Sequence, residues 1–222
     1  MTSIWLQFLL MVLPWWLRRS ALRLIFGYEI DQSARIGLSL ISVRTLRMGP
    51  KARIGHLTRV KGLQELSIGE AASLGNLNWV TAFPSGHAAH FTADPARNPS
   101  LVIERHAAIT HRHLIDCTDR VVVGEFSTVA GWRSQILTHA IDIRLSRQSA
   151  ASVSIGRYCF VGTGVVILKG ACLPDYSVLS AGSVLANAMS DAAMLYSGVP
   201  AVAVKPLDRG SAYFQRTQGF VN

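Results

Sequence analysis

The sequence predicts an all-β fold, a three-sided parallel β-helix preceded by a short helical segment. The first observation behind this prediction is a hydrophobic period of six residues, where a half-buried strand gives a period of about two and an α-helix one of about 3.6. The second is that the chain before residue 30 lacks this period and is rich in leucine and tryptophan. A fixed short period is typical of a solenoid, in which each repeat contacts only its neighbours.

The period is clearest near the C terminus, where aliphatic residues recur at every sixth position: Ile155, Val161, Ile167, Leu173, Leu179 and Leu185. Shorter runs precede it: Met48, Ile54 and Val60; Ile68, Leu74 and Val80; Ile103, Ile109 and Ile115; Val123 and Val129. A step of six fits a prism with three flat sides per coil, in which each aliphatic residue points inward and stacks on its equivalent one coil away. An ordinary β-sandwich would not give six consecutive matches at this spacing.

The period divides the chain into three parts. We expect the β-helix to cover residues 30–205, with an N-terminal segment at residues 1–29 and a tail at residues 206–222. The period breaks at residues 81–100 and again at residues 140–154, and we expect a loop to leave the β-helix at each break.

The N-terminal segment predicts an amphipathic, membrane-associating helix at residues 4–26. Its apolar run is interrupted by Pro14 and is shorter than the about 20 residues that span a bilayer. Three tryptophans suit the lipid headgroup zone and three arginines follow the run: Trp5, Trp15 and Trp16; Arg18, Arg19 and Arg23. We expect peripheral attachment at the cytoplasmic face of the cell membrane, and a fold that survives deletion of residues 1–26. The alternative is a helix that packs on a subunit interface.

Composition indicates a folded chain with anionic partners. The 222 residues are 50% hydrophobic, which is enough to fill a core, and 22 Lys and Arg against 13 Asp and Glu give a net charge of +9. The three cysteines form no C-x-x-C pair, so we expect a reducing compartment and buried, structural thiols. No phosphate-binding glycine loop, dinucleotide fingerprint or aromatic-basic motif is present, and we expect no nucleic-acid partner.

Three of the hexamers carry a family resemblance: Ile68 to Ser73, Val123 to Thr128, and Val161 to Val166. Each resembles the hexapeptide motif of the left-handed β-helix acyltransferases, and the similarity extends over roughly residues 30–205. It implies a left-handed coil, acetyl-CoA or another acyl-CoA as co-substrate, no metal, and a homotrimer with active sites between subunits. The sugar O-acetyltransferases of polysaccharide biosynthesis, of the colanic acid type, are the most similar members, with a saccharide or lipid-linked glycan as acceptor.

In that family a histidine on one coil acts as general base, and His139 matches it best because it precedes the break at residues 140–154. An imidazole with a pKa near 6.5 accepts a proton from an alcohol at neutral pH. Two carboxylates are candidates to orient it, Asp142 three residues on and Asp119 about one coil below, with Asp116 as a further possibility. We expect acceptor contacts from His113, Asp116, Trp132 and Arg133.

The donor site is expected along the C-terminal coils. Small side chains leave room there for the pantetheine arm of coenzyme A: Gly162, Gly164, Ala181, Gly182 and Ser183. Lys205 follows a Gly-x-Pro-Ala segment that resembles a family signature, and we expect it to meet the nucleotide phosphates.

Other functions stay open at this point. His106 and His111 have a spacing similar to that of the β-helical carbonic anhydrases, but the third zinc ligand of that family has no match. His87 and His90 lie in the first break of the period. The scaffold without chemistry is the second hypothesis, because fold does not imply function. N-acylation of an amino sugar is a third, since the same base serves an amine.

Overall fold

The computed structural model describes residues 4–86, 90, 91, 94–219 and 221. Two helices begin the described chain, α1 (Ile4–Met11) and α2 (Trp15–Phe26), and a short helix α3 (Ala212–Gln215) lies near its end. The strands between them are β1 (Glu29–Ile30), β2 (Arg35–Ile36), β3 (Leu40–Ser42), β4 (Thr45–Met48), β5 (Arg53–Ile54), β6 (Arg59–Lys61), β7 (Glu65–Ile68), β8 (Ser73–Leu74), β9 (Trp79–Thr81), β10 (Ser100–Ile103), β11 (Ala108–Ile109), β12 (Leu114–Asp116), β13 (Val121–Val123), β14 (Thr128–Val129), β15 (Gln135–Leu137), β16 (His139–Asp142), β17 (Arg147–Ala150), β18 (Val153–Ile155), β19 (Phe160–Val161), β20 (Val166–Ile167), β21 (Cys172–Leu173), β22 (Val178–Leu179), β23 (Val184–Leu185), β24 (Met194–Gly198) and β25 (Ala201–Pro206).

Most of these strands form three parallel sheets, which are the three sides of a prism. The first side has the order β1-β4-β7-β10-β13-β18-β21, and the second β2-β5-β8-β11-β14-β19-β22-β24-β25. The third has the order β23-β20-β15-β12-β9-β6-β3. Each strand pairs in parallel with its equivalent one coil away, except that β24 and β25 are antiparallel. The predicted three-sided parallel β-helix is confirmed.

The core is a column of stacked aliphatic side chains. All the residues that mark the period of six are at most 3% exposed, and each lies in one of the strands of the prism. Because each coil contacts only its neighbours, stacking equivalent positions produces a continuous apolar interior. Among the cysteines, Cys117 and Cys159 are buried and Cys172 is half-buried, and all three are unpaired thiols.

Helices α1 and α2 close the first coil through polar contacts. The Arg18 guanidinium donates to the carbonyl oxygens of Gly37 at 2.8 Å and Ser39 at 3.0 Å. Arg19 donates to the Ile30 carbonyl at 3.0 Å. The Gln7 side-chain oxygen accepts the Ile41 backbone N–H at 2.8 Å. These groups pair with backbone atoms at the end of the solenoid, so the structure leads us to expect that removal of residues 1–26 destabilises the fold, whereas the sequence predicted that the fold survives it.

None of the described helices is long and apolar enough to cross a membrane.

Both predicted breaks of the period lie at one corner of the prism. Residues 82–99 separate β9 from β10, and residues 138–152 separate β15 from β18 and contain the antiparallel hairpin of β16 and β17. The hairpin pairs His139 with Ala150 and Asp142 with Arg147. Asp94 links the two insertions by accepting the Ala150 backbone N–H at 3.0 Å. The described part of the first insertion therefore packs beside the hairpin.

Candidate active site

His139 lies where the chain leaves the third sheet for the hairpin. It is the first residue of β16, two residues after β15 ends at Leu137. The side chain is 31% exposed, and its ring packs edge-on against Phe83 at 5.6 Å and Phe91 at 5.9 Å between ring centroids. Both phenylalanines belong to the first insertion, so the two breaks of the period converge on this imidazole.

Asp116, the last residue of β12, is the carboxylate that pairs with His139. Its Oδ2 lies 2.7 Å from His139 Nδ1 and also accepts the backbone N–H of Thr138 at 2.9 Å. Its Oδ1 accepts the Thr118 hydroxyl at 2.6 Å and the Thr118 backbone N–H at 3.2 Å. The Thr138 hydroxyl donates to Oδ2 as well, at 2.9 Å. This buried carboxylate is therefore held by donors on three sides.

The electrostatics of the pair favour an ionised Asp116. Burial acts to raise the pKa of the Asp116 carboxyl, but the hydrogen bonds from His139, Thr118 and Thr138 outweigh it, and the pKa lies below its usual value. A carboxylate accepts only, so the hydrogen bond assigns a proton to His139 Nδ1, and the neutral form of this ring then has its lone pair on Nε2. That is the protonation state a general base needs.

A pocket of about 460 Å³ opens beside the pair. Its lining comes from the ends of third-sheet strands and from the first insertion: Lys61, Thr81, Ala82, Phe83, Pro84, Leu114, Asp116, Leu137 and His139. Arg97 fixes the insertion by donating to the carbonyl oxygens of Phe83 at 2.6 Å and Thr118 at 3.1 Å, with its guanidinium over the Phe91 ring. Burial lowers the pKa of Arg97. The pocket wall is mostly apolar, and the buried guanidinium of Arg97 fixes it in place.

The two carboxylates that the sequence favoured as partners of His139 are bonded elsewhere. Asp119 Oδ1 accepts the backbone N–H groups of Arg120 at 2.8 Å and Asn98 at 3.0 Å. Asp142 Oδ1 accepts the Leu145 backbone N–H at 3.1 Å in the hairpin turn. Neither contacts His139, which is bonded to Asp116 instead. Both Asp116 oxygens accept hydrogen bonds from within the protein, and the residue also lines the His139 pocket, so the acceptor contact expected of it stays a prediction.

His113 is buried at 3% exposure. Its Nδ1 accepts the Ser134 backbone N–H at 3.2 Å, and its Nε2 lies 3.0 Å from the Thr110 hydroxyl. Burial, followed by the nearby His111, lowers the pKa of His113 to about 4, so the ring is neutral at pH 7. His113 belongs to a column of polar side chains at one corner, with Ser39, Thr58, Asn78 and Ser134, each bonding to the backbone of the next coil. It does not line a groove, contrary to the sequence-based expectation.

Trp132 and Arg133, also expected at the acceptor, lie at the corner between the second and third sheets. Trp132 is 55% exposed, and the Arg112 guanidinium lies 5.0 Å from its ring centroid. Arg133 has a left-handed backbone, with φ of 61°. Neither residue lines the His139 pocket. In one chain, the third sheet separates them from the corner that carries His139.

The residues expected to bind coenzyme A fall into two groups. Gly164 and Gly182 are exposed at the same corner as Arg133, with φ of 65° and 70°, and a Cβ on either would meet no atom within 4 Å. Ala181 and Lys205 are exposed too. A Cβ on Gly162 would lie 2.6 Å from the backbone nitrogen of Ala181, so this glycine permits close coil packing. Ser183 is buried, and its hydroxyl oxygen accepts the Gly198 N–H at 3.2 Å.

Two further histidines lie at corners of the prism. His106 stacks on Phe126 with ring centroids 4.8 Å apart, and His111 Nδ1 accepts the Asn76 backbone N–H at 2.9 Å. His87 lies outside the described residues, and His90 packs on Phe83. Within the described part of the chain, no group of three or more His, Cys, Asp or Glu side chains is placed to hold a metal ion.

Sequence reasoning did not identify Phe83, Phe91, Arg97 and Lys61 as parts of this site. Lys61 and Asp116 are traceable, because each directly follows an inward aliphatic mark, Val60 and Ile115, on the third side. Residues one step after these marks form one outward column, and the register pairs Lys61 with Thr81, Thr81 with Asp116, and Asp116 with Leu137. The insertion residues have no such signal, since they lie outside the period.

Comparison with known proteins supports the fold. The sequence matches no protein-family model and no curated protein. Among solved structures, the polysialic acid O-acetyltransferase OatWY is similar with a TM-score of 0.61 at 16% identity, over 86% of this chain and 92% of that one. The hexapeptide-repeat acetyltransferase VCA0836 from Vibrio cholerae gives a TM-score of 0.47 at 16% identity, over 91% and 87% of the two chains. The chain has the left-handed β-helix fold of the hexapeptide-repeat acetyltransferases.

Proposed function

We propose that this protein is an acyltransferase that moves an acetyl or similar acyl group from coenzyme A to a sugar hydroxyl, with His139 as general base. The observation that carries the proposal is the His139–Asp116 pair, 2.7 Å apart at the wall of a pocket. A buried carboxylate on Nδ1 and an open Nε2 are the features of an imidazole that accepts a proton. Similarity of fold to a polysialic acid O-acetyltransferase supports a saccharide acceptor.

In the proposed reaction the acceptor hydroxyl oxygen attacks the thioester carbonyl carbon. Its proton passes to His139 Nε2, the carbon–sulfur bond breaks, and the coenzyme A thiolate takes the proton from the imidazolium. Asp116 stabilises the positive charge while His139 holds the proton, as the carboxylate of a catalytic triad does. Phe83 and Phe91 pack edge-on against the ring and restrict its orientation.

The donor groove is proposed at the corner formed by Gly164 and Gly182. Their open surroundings leave space for a narrow pantetheine chain, and Lys205 supplies a positive charge on β25. In a single chain this corner precedes the strands of the third sheet and His139 follows them, so the two lie at opposite ends of these strands. A complete site therefore needs the donor corner of one subunit beside the His139 corner of another, which supports a homotrimer.

The test is the variant His139→Ala, assayed with acetyl-CoA and a panel of saccharides, with products identified by mass spectrometry. We expect kcat to fall roughly a hundredfold to ten-thousandfold, the usual range for loss of a general base. Binding of acetyl-CoA, measured by calorimetry, should stay near the wild-type value because the proposed donor contacts come from the glycine corner and Lys205, whereas His139 acts on the proton of the acceptor.

The matched control is His106→Ala, a half-exposed histidine at the corner between the first and second sheets, which should keep most of its activity. Near-wild-type turnover of His139→Ala would remove this residue from the mechanism. Absence of acetyl-CoA binding by the wild-type protein would instead contradict the acyltransferase function itself and favour a scaffold without this chemistry. Products acylated on nitrogen would assign the same base to an amino sugar.

A further inference from the structure

We propose that helices α1 and α2 form a docking surface for an anionic lipid bilayer at the first coil of the solenoid. These two helices, called the cap helices below, carry exposed apolar side chains as well as buried ones. The side that faces the protein combines the buried Leu10 and Leu22 with polar groups, Gln7, Arg18 and Arg19, which bond to backbone atoms of the first coil.

The outward side of the cap helices is apolar. Large hydrophobic side chains point away from the solenoid: Trp5, Phe8, Leu9, Val12, Leu13, Trp16, Leu17, Leu24 and Ile25. Leu24 is 85% exposed, Val12 84% and Trp5 76%. A helix that faced water would carry its polar residues on this side. A contiguous exposed apolar patch of this kind marks a surface that is covered by a partner.

The charge distribution identifies the partner. Residues 1–63 hold ten Lys and Arg and two Asp and Glu, a net charge of +8, whereas the whole chain carries +9. The remaining 159 residues are therefore nearly neutral. Arg23 lies on the outward side of α2, and the first coils expose Arg35, Arg44, Lys51 and Arg53. An apolar patch at the same end of the molecule as these cations matches a bilayer surface with anionic headgroups, where each Lys or Arg contributes about 1 kcal/mol.

The same charge argues against a second copy of the chain as the occupant. Two cap ends brought face to face would bring together two segments that each carry a net charge of +8 over residues 1–63, with Glu29 and Asp31 as the acidic residues of each. Tryptophan adds to the case for a bilayer, because indole rings prefer the interface between headgroups and hydrocarbon, and Trp5 and Trp16 are both exposed. The inference does not depend on the chemistry of His139.

The sequence pattern alone assigned Arg18 and Arg19 to lipid headgroups as well. Their guanidinium groups donate to carbonyl oxygens of the first coil instead, and burial lowers the pKa of Arg18. The cationic part of the docking surface is therefore Arg23 together with the exposed arginines and lysine of the first coils.

The experiment is co-sedimentation with vesicles of phosphatidylcholine alone and of phosphatidylcholine with phosphatidylglycerol, at low and high salt. Deleting the cap helices would expose the core, so point variants are used. The helix variant carries Leu9→Gln, Val12→Gln and Leu24→Gln. The control carries Ile143→Gln, Val202→Gln and Val204→Gln, which are also more than half exposed but belong to the hairpin and β25. Circular dichroism and thermal unfolding confirm that both variants fold.

We expect the wild-type protein and the control to sediment with the vesicles that contain phosphatidylglycerol, and less so at high salt. The helix variant should partition roughly tenfold less or weaker still, because three apolar side chains no longer enter the bilayer. Wild-type protein that stays in the supernatant with both vesicles, or a helix variant that sediments like wild type, would overturn the proposal. Light scattering that shows a larger wild-type oligomer than that of the helix variant, without vesicle binding, would assign the patch to a second copy.

Discussion

Asp116 acts on His139 through one hydrogen bond, and its removal should change catalysis more than folding. In Asp116→Asn the amide can still accept from the Thr138 or Thr118 N–H, but it no longer carries the charge that stabilises a protonated His139. We expect kcat to fall about a hundredfold or more, with acetyl-CoA affinity little changed. Steady-state kinetics over a range of pH measure this effect. We do not expect Asp116→Glu to restore activity, because the carboxylate is buried and the longer side chain has no room there.

Asp119→Asn is the matched control for that experiment. Its carboxylate accepts two backbone N–H groups and does not contact His139. Activity should stay within a few-fold of the wild-type value. An Asp119→Asn variant as inactive as Asp116→Asn would mean that loss of the insertion's geometry, rather than loss of the charge beside His139, explains both results.

His113 makes the fold sensitive to acid. The unfolded chain binds a proton on this imidazole below about pH 6.5, whereas the folded chain does so only below about pH 4. The unfolded state therefore holds more protons across this interval, and the free energy of unfolding falls as the pH falls through it, by up to about 3 kcal/mol.

The substitution His113→Asn should remove this part of the pH dependence. Asparagine already occupies the equivalent place one coil earlier, where Asn78 accepts a backbone N–H and donates to the Thr110 carbonyl. Urea unfolding at neutral pH and at about pH 4.5 measures the difference between the two proteins. A variant that loses as much stability on acidification as the wild type would contradict a neutral, buried His113.

The partner of His139 illustrates how far the sequence leads at this scale. Counting one coil back from His139 with a 20-residue coil, as between Val121 and Leu101, points to residue 119. On the third side the coil has 21 residues, since Asp116 pairs with Leu137, so the position one coil below His139 is 118 and Asp116 lies two residues further back. The additional residue lies at the Gly131 corner, where β14 and β15 are one residue further apart than β11 and β12. An insertion at a corner cannot be predicted from the hydrophobic period, because that period is defined by the inward side chains of the strands alone.

At the scale of elements, the cap helices stabilise the solenoid as well as extending it. In Arg18→Met the buried guanidinium is lost, and the carbonyl oxygens of Gly37 and Ser39 are left without their donor. We expect the free energy of unfolding to fall by about 2–4 kcal/mol. Thermal and urea unfolding measure this directly.

Arg23→Met on the same helix serves as the comparison, since Arg23 is exposed and its substitution should change stability by no more than about 0.5 kcal/mol. Equal free energies of unfolding for the two variants would show that the contacts of Arg18 with the first coil do not stabilise the fold. Truncation at residue 26 is expected to destabilise the protein for the same reason that Arg18→Met does.

The elements differ in how well the sequence predicts them. The coils follow from a repeated inward position, so all the marks from Met48 to Leu185 are buried as predicted. The two insertions were predicted as departures from the period, but their internal structure depends on contacts between distant residues. Asp94 bonds the hairpin at Ala150, and Arg97 bonds the carbonyl of Thr118. No local pattern encodes these pairs, so the pocket wall they create was not predicted.

At the scale of the whole molecule, the prism separates the two halves of the proposed site. His139 lies after the third sheet, whereas Gly164, Ala181 and Gly182 lie before it in each coil. Crossing that side takes about six residues of extended chain, or roughly 20 Å. A reaction requires the thioester and the acceptor within contact distance of one base. A closed threefold assembly would meet this requirement, because the corner before the third sheet of one subunit would lie against the corner after the third sheet of the next subunit.

This arrangement predicts a homotrimer whose active sites can be rebuilt from two inactive variants. His139→Ala removes the base, and Ala181→Trp fills the exposed corner where pantetheine is proposed to lie. Each variant alone should form a trimer by light scattering and show little activity. When the two are co-expressed with separate tags and mixed trimers are isolated, one of the three interfaces in each mixed trimer joins an intact His139 to an intact Ala181, and the isolated trimers should regain about a third of the wild-type activity. Recovery requires that the two residues act across a subunit boundary, because no single chain in the mixture carries both. Mixed trimers no more active than their parents would place base and donor in the same chain, and an active monomer would contradict the shared site altogether.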